Sequence, residues 1–381
     1  MKVSLTDICD FQGGTQPPKD EWIDQPAQGY VRMLQIRDFT QSDKNYIEYV
    51  KDTGKLKTCI EDDILIGRYG ASIGKILTGL AGAYNVAIVK TIPDEKVVSK
   101  KYLYWYLNSQ YFQRFISNVG SRAAQAGFNK NDLGAAQIPL VDKERQEEIC
   151  EVLEKANKLI SLRKQQLAKL DELVKVRFVE MFGTFPANPF RWDTGKIQDV
   201  VSDVRYGSSR PAVEGGKYPY LRMNNITYSG ELDLRDTKRI DIPDSELDKC
   251  TVRRGDVLFN RTNSKELVGK TCVYNRDELM VLAGFVIRVR VNERIRSEVL
   301  SAFLNMDFSK RMLIGMCKTA IGQANINAKE LQNIDLYIPP IELQDQFVTL
   351  KNKIDQQKQT VQQSLEKLEL LKKALMQEYF G

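Results

Sequence analysis

The 381-residue chain contains no histidine. That absence removes the commonest general acid–base residue, most zinc sites and every Ser-His or Cys-His nucleophilic pair. Cysteine is sparse. Cys9, Cys59, Cys150, Cys250, Cys272 and Cys317 lie far apart and form no C-x-x-C, so they read as reduced, intracellular, mostly buried thiols rather than metal ligands. Long apolar runs are missing too. The longest, Ile76 to Val89, is interrupted by glycines and Asn85 and falls short of the roughly 20 residues of a spanning helix. The opening Met1-Lys2-Val3-Ser4-Leu5-Thr6-Asp7 has no apolar stretch after its lysine, which sets the expectation of a cytoplasmic protein with no secretory signal and no membrane partner. Charge of one sign is nearly balanced, with 56 Lys and Arg against 50 Asp and Glu and a net charge of +6. That excess permits contact with a polyanion without demonstrating it.

Catalytic motifs are equally absent. There is no Walker A loop and no G-x-G-x-x-G opening a helix; Gly13-Gly14 and Gly215-Gly216 read as turns. Asn188-Pro189-Phe190 lacks the second proline of the Asn-Pro-Pro-aromatic loop of amino-methyltransferases, and no cofactor glycine motif accompanies it. Pro93-Asp94 and Pro243-Asp244 lack the downstream acidic-x-Lys pairing of common nuclease cores. The expectation is a chain with no catalytic residues, no metal and no cofactor of its own.

What is there is a duplication. Tyr30-Val31-Arg32-Met33-Leu34-Gln35-Ile36 returns as Tyr220-Leu221-Arg222-Met223-Asn224-Asn225-Ile226, and Asp63 to Arg68 returns as Asp256 to Arg261. Gly74-Lys75 returns as Gly269-Lys270, Gln125 to Asn129 as Gln323 to Asn327, and Ile138-Pro139 as Ile338-Pro339. Glu180-Met181-Phe182-Gly183 returns as Glu378-Tyr379-Phe380-Gly381. The order is the same in both copies and the offset is about 190 to 200 residues throughout.

Each copy begins with short β-type runs punctuated by Gly, Pro and Asn, such as Asp63 to Ile66, Ala87 to Val89, Asp256 to Phe259 and Phe285 to Val291. A helical piece from Lys100 to Ser117, with a counterpart from Ser297 to Cys317, breaks that texture. Each copy ends in a long heptad-like stretch. From Glu144 to Met181 the apolar steps fall at Ile149, Val152, Ala156, Leu159, Leu167, Leu170, Leu173 and Val174. From Glu342 to Tyr379 the matching positions are Phe347, Leu350, Ile354, Gln357, Leu365, Leu368, Leu371 and Lys372. Steps of three and four over about five heptads predict a coiled-coil seam. Two helices of matched length most simply pair antiparallel, with a globular domain at each end of the rod; an ordinary helix lying on its own domain would not need that match. The fold expected is α+β.

This globular–helix–globular–helix order resembles the specificity subunits of type I restriction-modification enzymes, and the likeness covers essentially the whole chain. Recognition domains of that family open with a Gly-Thr-x-Pro-like loop, here Gly14-Thr15-Gln16-Pro17 and, looser, Gly207-Ser208-Ser209-Arg210-Pro211. A Gly-Asp-Ile-Leu-like strand follows, matched by Gly255-Asp256-Val257-Leu258 and, with its glycine replaced, by Asp62-Asp63-Ile64-Leu65. A Gln-x-Asn-Ile-Asn-like loop, an Ile-Pro and a Glu-Gln helix start close the domain: Gln323 to Asn327, Ile338-Pro339 and Glu342. The first copy departs from this at Gly127-Phe128-Asn129 and at Glu144-Arg145-Gln146.

The resemblance implies duplicated target-recognition domains over residues 1–142 and 184–341, with helical spacers over 143–183 and 342–381. It implies a non-catalytic subunit that reads a bipartite, asymmetric target in double-stranded DNA, docks two methyltransferase subunits and joins restriction-translocase subunits. S-adenosylmethionine, ATP and Mg are expected on those partners.

DNA reading needs cations and amides for phosphates and planar polar groups for base edges. In the first copy the candidates are Thr15, Gln16, Lys19, Arg37, Arg68, Tyr69, Ser72, Lys75, Arg122, Gln125 and Asn129. In the second they are Ser208, Ser209, Arg210, Asn224, Asn225, Arg261, Thr262, Asn263, Ser264, Lys265, Lys318, Gln323, Asn325 and Asn327. Asn260 to Lys265 is the densest such run. Arg32 and Arg222 lie inside strands, where pairing with a carboxylate suffices. A coiled-coil scaffold without nucleic acid is the rival class and predicts no gathering of basic loops. A stand-alone nuclease or methyltransferase predicts metal or cofactor binding by the purified chain.

Overall fold

The computed structural model describes residues 1–41, 47–122, 127–320 and 323–381. The chain forms two compact units, one of Met1–Arg163 with Ser364–Gly381 and one of Lys164–Gln363.

In the first unit, antiparallel strands order Cys9–Gly13, Ile88–Pro93, Leu65–Gly67 and Ile76–Leu77 in one sheet. A second sheet orders Glu48–Lys51, Tyr30–Leu34, Gly82–Tyr84 and Thr58–Cys59, with a parallel pairing of Leu34 with Tyr84 at its centre. The second unit repeats both sheets. Val201–Tyr206, Val286–Val291, Val257–Asn260 and Thr271–Val273 make the first, and Lys238–Ile240, Tyr218–Leu221, Met280–Leu282 and Thr251–Val252 the second. Leu221 pairs in parallel with Leu282 at the corresponding place. The central strands Leu65–Gly67, Val257–Asn260 and Met280–Leu282 are buried along their whole length, so both faces of the sheets are covered there.

The pairing corrects one expected match. Leu34 corresponds to Leu221, not Asn224, and Gln35 and Arg222 each precede a short helical turn, their backbone N–H groups donating to Asp38 and Asn225. The letters shared by Tyr30–Ile36 and Tyr220–Ile226 therefore sit three positions out of register; both strands meet the same burial demand with different residues. The other anchors coincide. Asp63 accepts the N–H of Ile60 at 3.0 Å and Asp256 that of Arg253 at 2.9 Å, closing the same turn.

The single helix expected from Lys100 to Ser117 is two, Lys100–Leu107 and Gln110–Arg122, and its counterpart is Ser297–Asn305 and Asp307–Met316. Ser109 causes the first break: its hydroxyl accepts the N–H of Phe112 at 3.2 Å and caps the second helix.

The long helices run Lys143–Phe182 and Ile341–Phe380, 40 residues each, or roughly 60 Å of rise. Within the first unit, the Arg145 guanidinium lies 5.9 Å from the Tyr379 ring and Lys372 Nζ donates to Asn157 Oδ1 at 2.7 Å. Within the second, Phe347 packs on Phe178 and Phe182 with centroids 5.5 and 5.4 Å apart, and Lys358 pairs with Asp171. Residue numbers fall on one helix as they rise on the other, so the pairing is antiparallel in each unit. The seam follows the expectation at Ile149, Ala156, Phe347, Ile354 and Leu365 and departs from it elsewhere. Ile149, Leu153, Ala156 and Ile160 are buried, while Val152 and Leu159 are 38% and 46% exposed. On the second helix Phe347, Ile354, Val361 and Leu365 are buried, Gln357 is exposed and Leu371 is 51% exposed. The first helix carries two neighbouring apolar stripes that both satisfy the three–four spacing, and the packing uses one.

Candidate nucleic-acid interface

In each unit the loops at the ends of several strands gather around one turn. In the first, Thr15 N donates to Tyr84 O at 3.0 Å, Asn85 N to Leu34 O at 3.2 Å and Arg68 N to Ala87 O at 2.8 Å. Gly14 is demanded by this closeness, since an added Cβ would lie 2.1 Å from Asn85 O. The segment from Gly127 to Asn129 joins through a bridge between Tyr69 and Gly127 and through Arg68 Nε, which donates to Phe128 O at 2.9 Å.

The second unit repeats the arrangement with the same backbone bonds. Ser208 N donates to Leu282 O at 2.6 Å, Ala283 N to Leu221 O at 2.8 Å, Arg261 N to Phe285 O at 3.0 Å and Ile326 N to Arg261 O at 2.9 Å. Here Thr262 and Asn263 pair with Asn325 and Ala324. Two runs that are far apart in sequence, Asn260 to Lys265 and Gln323 to Asn327, thereby form one surface. The first of them is no freely hydrated tip: Asn260 and Thr262 are buried, Asn263 and Ser264 are half-buried, and Lys265 is exposed.

The cations fall into two classes. Arg68 lies 5.0 Å from the Tyr69 ring, and Arg261 lies 4.7 Å from the Tyr206 ring while Nη2 donates to Asn325 Oδ1 at 3.1 Å. An aromatic ring and a neutral acceptor hold each of these two guanidinium groups without cancelling its charge. Lys19 and Arg37 instead donate to the Glu48 carboxylate, Lys19 at 2.8 Å, with Gln35 Nε2 on the same group at 2.6 Å. Lys19 also sits 3.8 Å from the Trp22 ring. Arg210 forms a two-pronged pair with Glu246 at 2.6 and 3.1 Å, and that guanidinium draws the Glu246 carboxyl below its ordinary range. Arg32 and Arg222 pair with Asp38 and Asp236. Among the described residues, buried polar atoms without a hydrogen-bond partner gather along the same loops: Thr15 Oγ1, Asn260 Oδ1, Arg261 Nε and Thr262 Oγ1. Each is costly to leave unmet.

Several sequence candidates are engaged in building the loops. Asn129 and Asn327 cap the helices Lys130–Leu133 and Ala328–Gln332 with their side-chain oxygens. Asn225 is buried; its oxygen accepts Arg222 N at 2.9 Å and its amide donates to Asp233 O at 2.8 Å. Ser208 Oγ accepts Arg210 N at 3.2 Å, and Asn263 Oδ1 accepts Ser264 N at 2.8 Å. Gln16, Lys75, Ser209 and Asn224 are exposed, Tyr69 is 40% exposed, and Ser72 is half-buried in the turn Gly70–Ser72. Gln125 and the side chains of Arg122, Lys318 and Gln323 lie outside the described residues. Sequence reasoning missed Trp22, Gln35, Glu48 and Tyr206. Tyr206 carried a signal, an aromatic directly before the Gly207-Ser208 loop; Glu48 carried none, because Lys19 and Arg37 reach it only through the fold.

Among the described residues no group of three or more Cys, Asp or Glu side chains is placed to hold a metal ion, and no helix is long and apolar enough to cross a membrane.

Comparison with known proteins gives a consistent picture. Residues 1–172 and 189–370 match the family described as type I restriction modification DNA specificity domain. The chain is 26% identical to the putative type I restriction enzyme MjaX specificity subunit of Methanocaldococcus jannaschii, over 50% of this chain and 46% of that protein. It is 24% identical to the MjaVIII specificity subunit of the same organism, over 98% of this chain and 90% of the relative. The chain thus spans less than half of the first relative and most of the second. A solved chain from a study of complex assembly and conformational transition of the type I R-M system superposes with a TM-score of 0.61 at 18% identity, covering 100% of this chain and 97% of that one. With family matches over both halves and the same fold in a solved relative, the chain belongs to the type I restriction-modification DNA specificity family.

Proposed function

We propose that this chain is the non-catalytic reader of a type I restriction-modification assembly, in which each recognition domain reads one half of a bipartite, asymmetric site in double-stranded DNA. The observation that carries the reading is the duplicated rim: in both units an arginine over a tyrosine ring, bonded to a neutral acceptor, stands among hydrogen-bonding loops. A guanidinium fixed in its plane suits bidentate contact with a guanine edge, and the surrounding lysines and amides suit phosphates. The long helices set the unspecified spacer and dock two methyltransferase subunits. Val152, Leu159 and Leu162 on the first long helix support docking, for they leave an exposed apolar stripe beside the buried seam. Restriction-translocase subunits complete the assembly; S-adenosylmethionine, ATP and Mg act on those partners, and the whole works in the cytoplasm.

Mapping methylated adenines in the source genome, with and without this gene, tests the proposal. A split motif that disappears on deletion is the expected result. An unchanged methylation map in a strain with intact partner genes defeats the proposal and returns the chain to the class of DNA-free scaffolds.

A further inference from the structure

Two buried glutamines occupy the joint between each recognition domain and its long helix. Gln146 and Gln344 are both 0% exposed. Gln146 Oε1 accepts the N–H of Ser99 at 2.9 Å, and its Nε2 donates to Val97 O and Val141 O, both at 2.9 Å. Gln344 repeats every contact: Oε1 accepts the N–H of Arg296 at 2.8 Å, and Nε2 donates to Arg294 O at 3.0 Å and Pro339 O at 2.8 Å. Each amide therefore ties together the first turn of the long helix, the segment entering it, and the approach to the helix Lys100–Leu107 or Ser297–Asn305. No other uncharged side chain of that length offers two donors and one acceptor in a plane. Loss of the amide takes the partner from two carbonyls and one N–H.

The rest of the joint is laid out alike. Strand Lys2–Ser4 pairs with Gln137–Pro139, and Asp193–Lys196 with Asp335–Ile338, directly before the helices. The neighbouring exposed pair, Arg296 with Asp345 at 2.6 Å, exists in the second unit at the rim of the joint. Of these fasteners, the glutamines alone reach all three segments from the inside.

We propose that Gln146 and Gln344 are positioning residues that fix the angle between each recognition domain and its helix, and thereby decide how strictly the protein measures the base pairs between its half-sites. The lever is short. A domain of this size has a radius of gyration of about 15 Å, so a tilt of about 13° displaces a loop at that distance from the joint by about 3.4 Å, the rise of one base pair. Spacer discrimination of one base pair then requires a joint that holds its angle to well within that tilt. This inference rests on the DNA-reading function proposed above.

The test is methylation by the full assembly on a plasmid library in which the spacer is shortened or lengthened by one base pair and the half-sites are degenerate. Gln344→Met keeps side-chain length and removes all three bonds. Gln344→Glu keeps the bond from Arg296 N and removes the two donated ones. Both are expected to lower the ratio of methylation at the parental spacer to that at the shifted spacers by about fivefold or more, with half-site preferences unchanged. Gln146→Met shifts the ratio likewise, and Asp345→Asn, which breaks only the exposed pair, leaves it as in wild type. Equal loss at every spacer, or a wild-type ratio in both Gln344 variants, overturns the inference. A wild-type assembly that methylates no bipartite site defeats the functional reading instead.

Discussion

The two units share a backbone plan but fill equivalent positions with different chemistry. In the first, Gly74 O accepts a neutral amide, Gln113 Nε2, at 2.9 Å; in the second the matching carbonyl, Gly269 O, accepts the amine of Lys310. Burial, with Lys175 and Lys270 nearby, pushes Lys310 down to about 7. The central sheet shows the same contrast. Lys90 pairs with Asp63 at 3.0 Å with its side chain 20% exposed, whereas Arg288 pairs with Asp203 at 2.7 Å and is 1% exposed. The second unit thus encloses charge where the first keeps it neutral or wetted. A fold can be copied while its electrostatic burden is not.

The largest expected effect tests that contrast directly. Arg288→Met removes a buried guanidinium that also donates to Thr251 O and is expected to destabilise the second unit by about 3 kcal/mol. Lys90→Met in the first should cost less, about 1–2 kcal/mol, because that pair is partly exposed and Lys100 stays beside Asp63. Hydrogen exchange followed unit by unit in urea separates the two, and equal losses would erase the distinction.

Next in size is the reading rim. Arg261→Ala should weaken one half-site by about 1–3 kcal/mol and Arg68→Ala the other by a similar amount, read as methylation across degenerate sites. Loss at both half-sites from either change points to a folding defect.

Lys310→Gln, which installs the first unit's solution in the second, gives a smaller and pH-dependent gain. Unfolded, the amine titrates near its ordinary value of 10.5 and folded near 7. Between those values the unfolded state binds more protons, so wild-type stability rises with pH from about 7, and below that the full penalty remains. The variant should melt about 3–6 °C higher near pH 6.5, a gain of about 1–2 kcal/mol, with the advantage shrinking toward pH 9. A parallel pH profile for the two proteins would show that Lys310 titrates normally. Gly269 O keeps the Thr271 hydroxyl at 3.0 Å in either case.

Smallest is Arg210→Ala. Glu246 already balances that charge, so affinity for a non-specific duplex should change by about threefold or less, measured by fluorescence anisotropy at two salt concentrations. A large drop would move Arg210 into the class of Arg261.

The duplication and the paired helices were legible because each is written in ordered, repeated letters. The phase of the seam was not. Val152 and Leu153, or Leu159 and Ile160, are adjacent apolar residues, and only the partner helix decides which turns inward. The rim was half legible: Arg68, Arg261 and the Gln-x-Asn loop stand out as polar residues in turn-rich stretches. Their juxtaposition depends on pairings such as Thr262 with Asn325, and the capping duties of Asn129 and Asn327 depend on short helices that no periodicity announces.

The strand pairs Lys2–Ser4 with Gln137–Pro139 and Asp193–Lys196 with Asp335–Ile338 have a bearing on descent. They bring the point where the chain enters each globular domain beside the point where it leaves. Everything between can be exchanged as a cassette, provided the new insert begins and ends with a compatible strand and presents the same carbonyls to the waiting glutamine. Such an exchange would replace the loops of the rim and leave the long helices as they were.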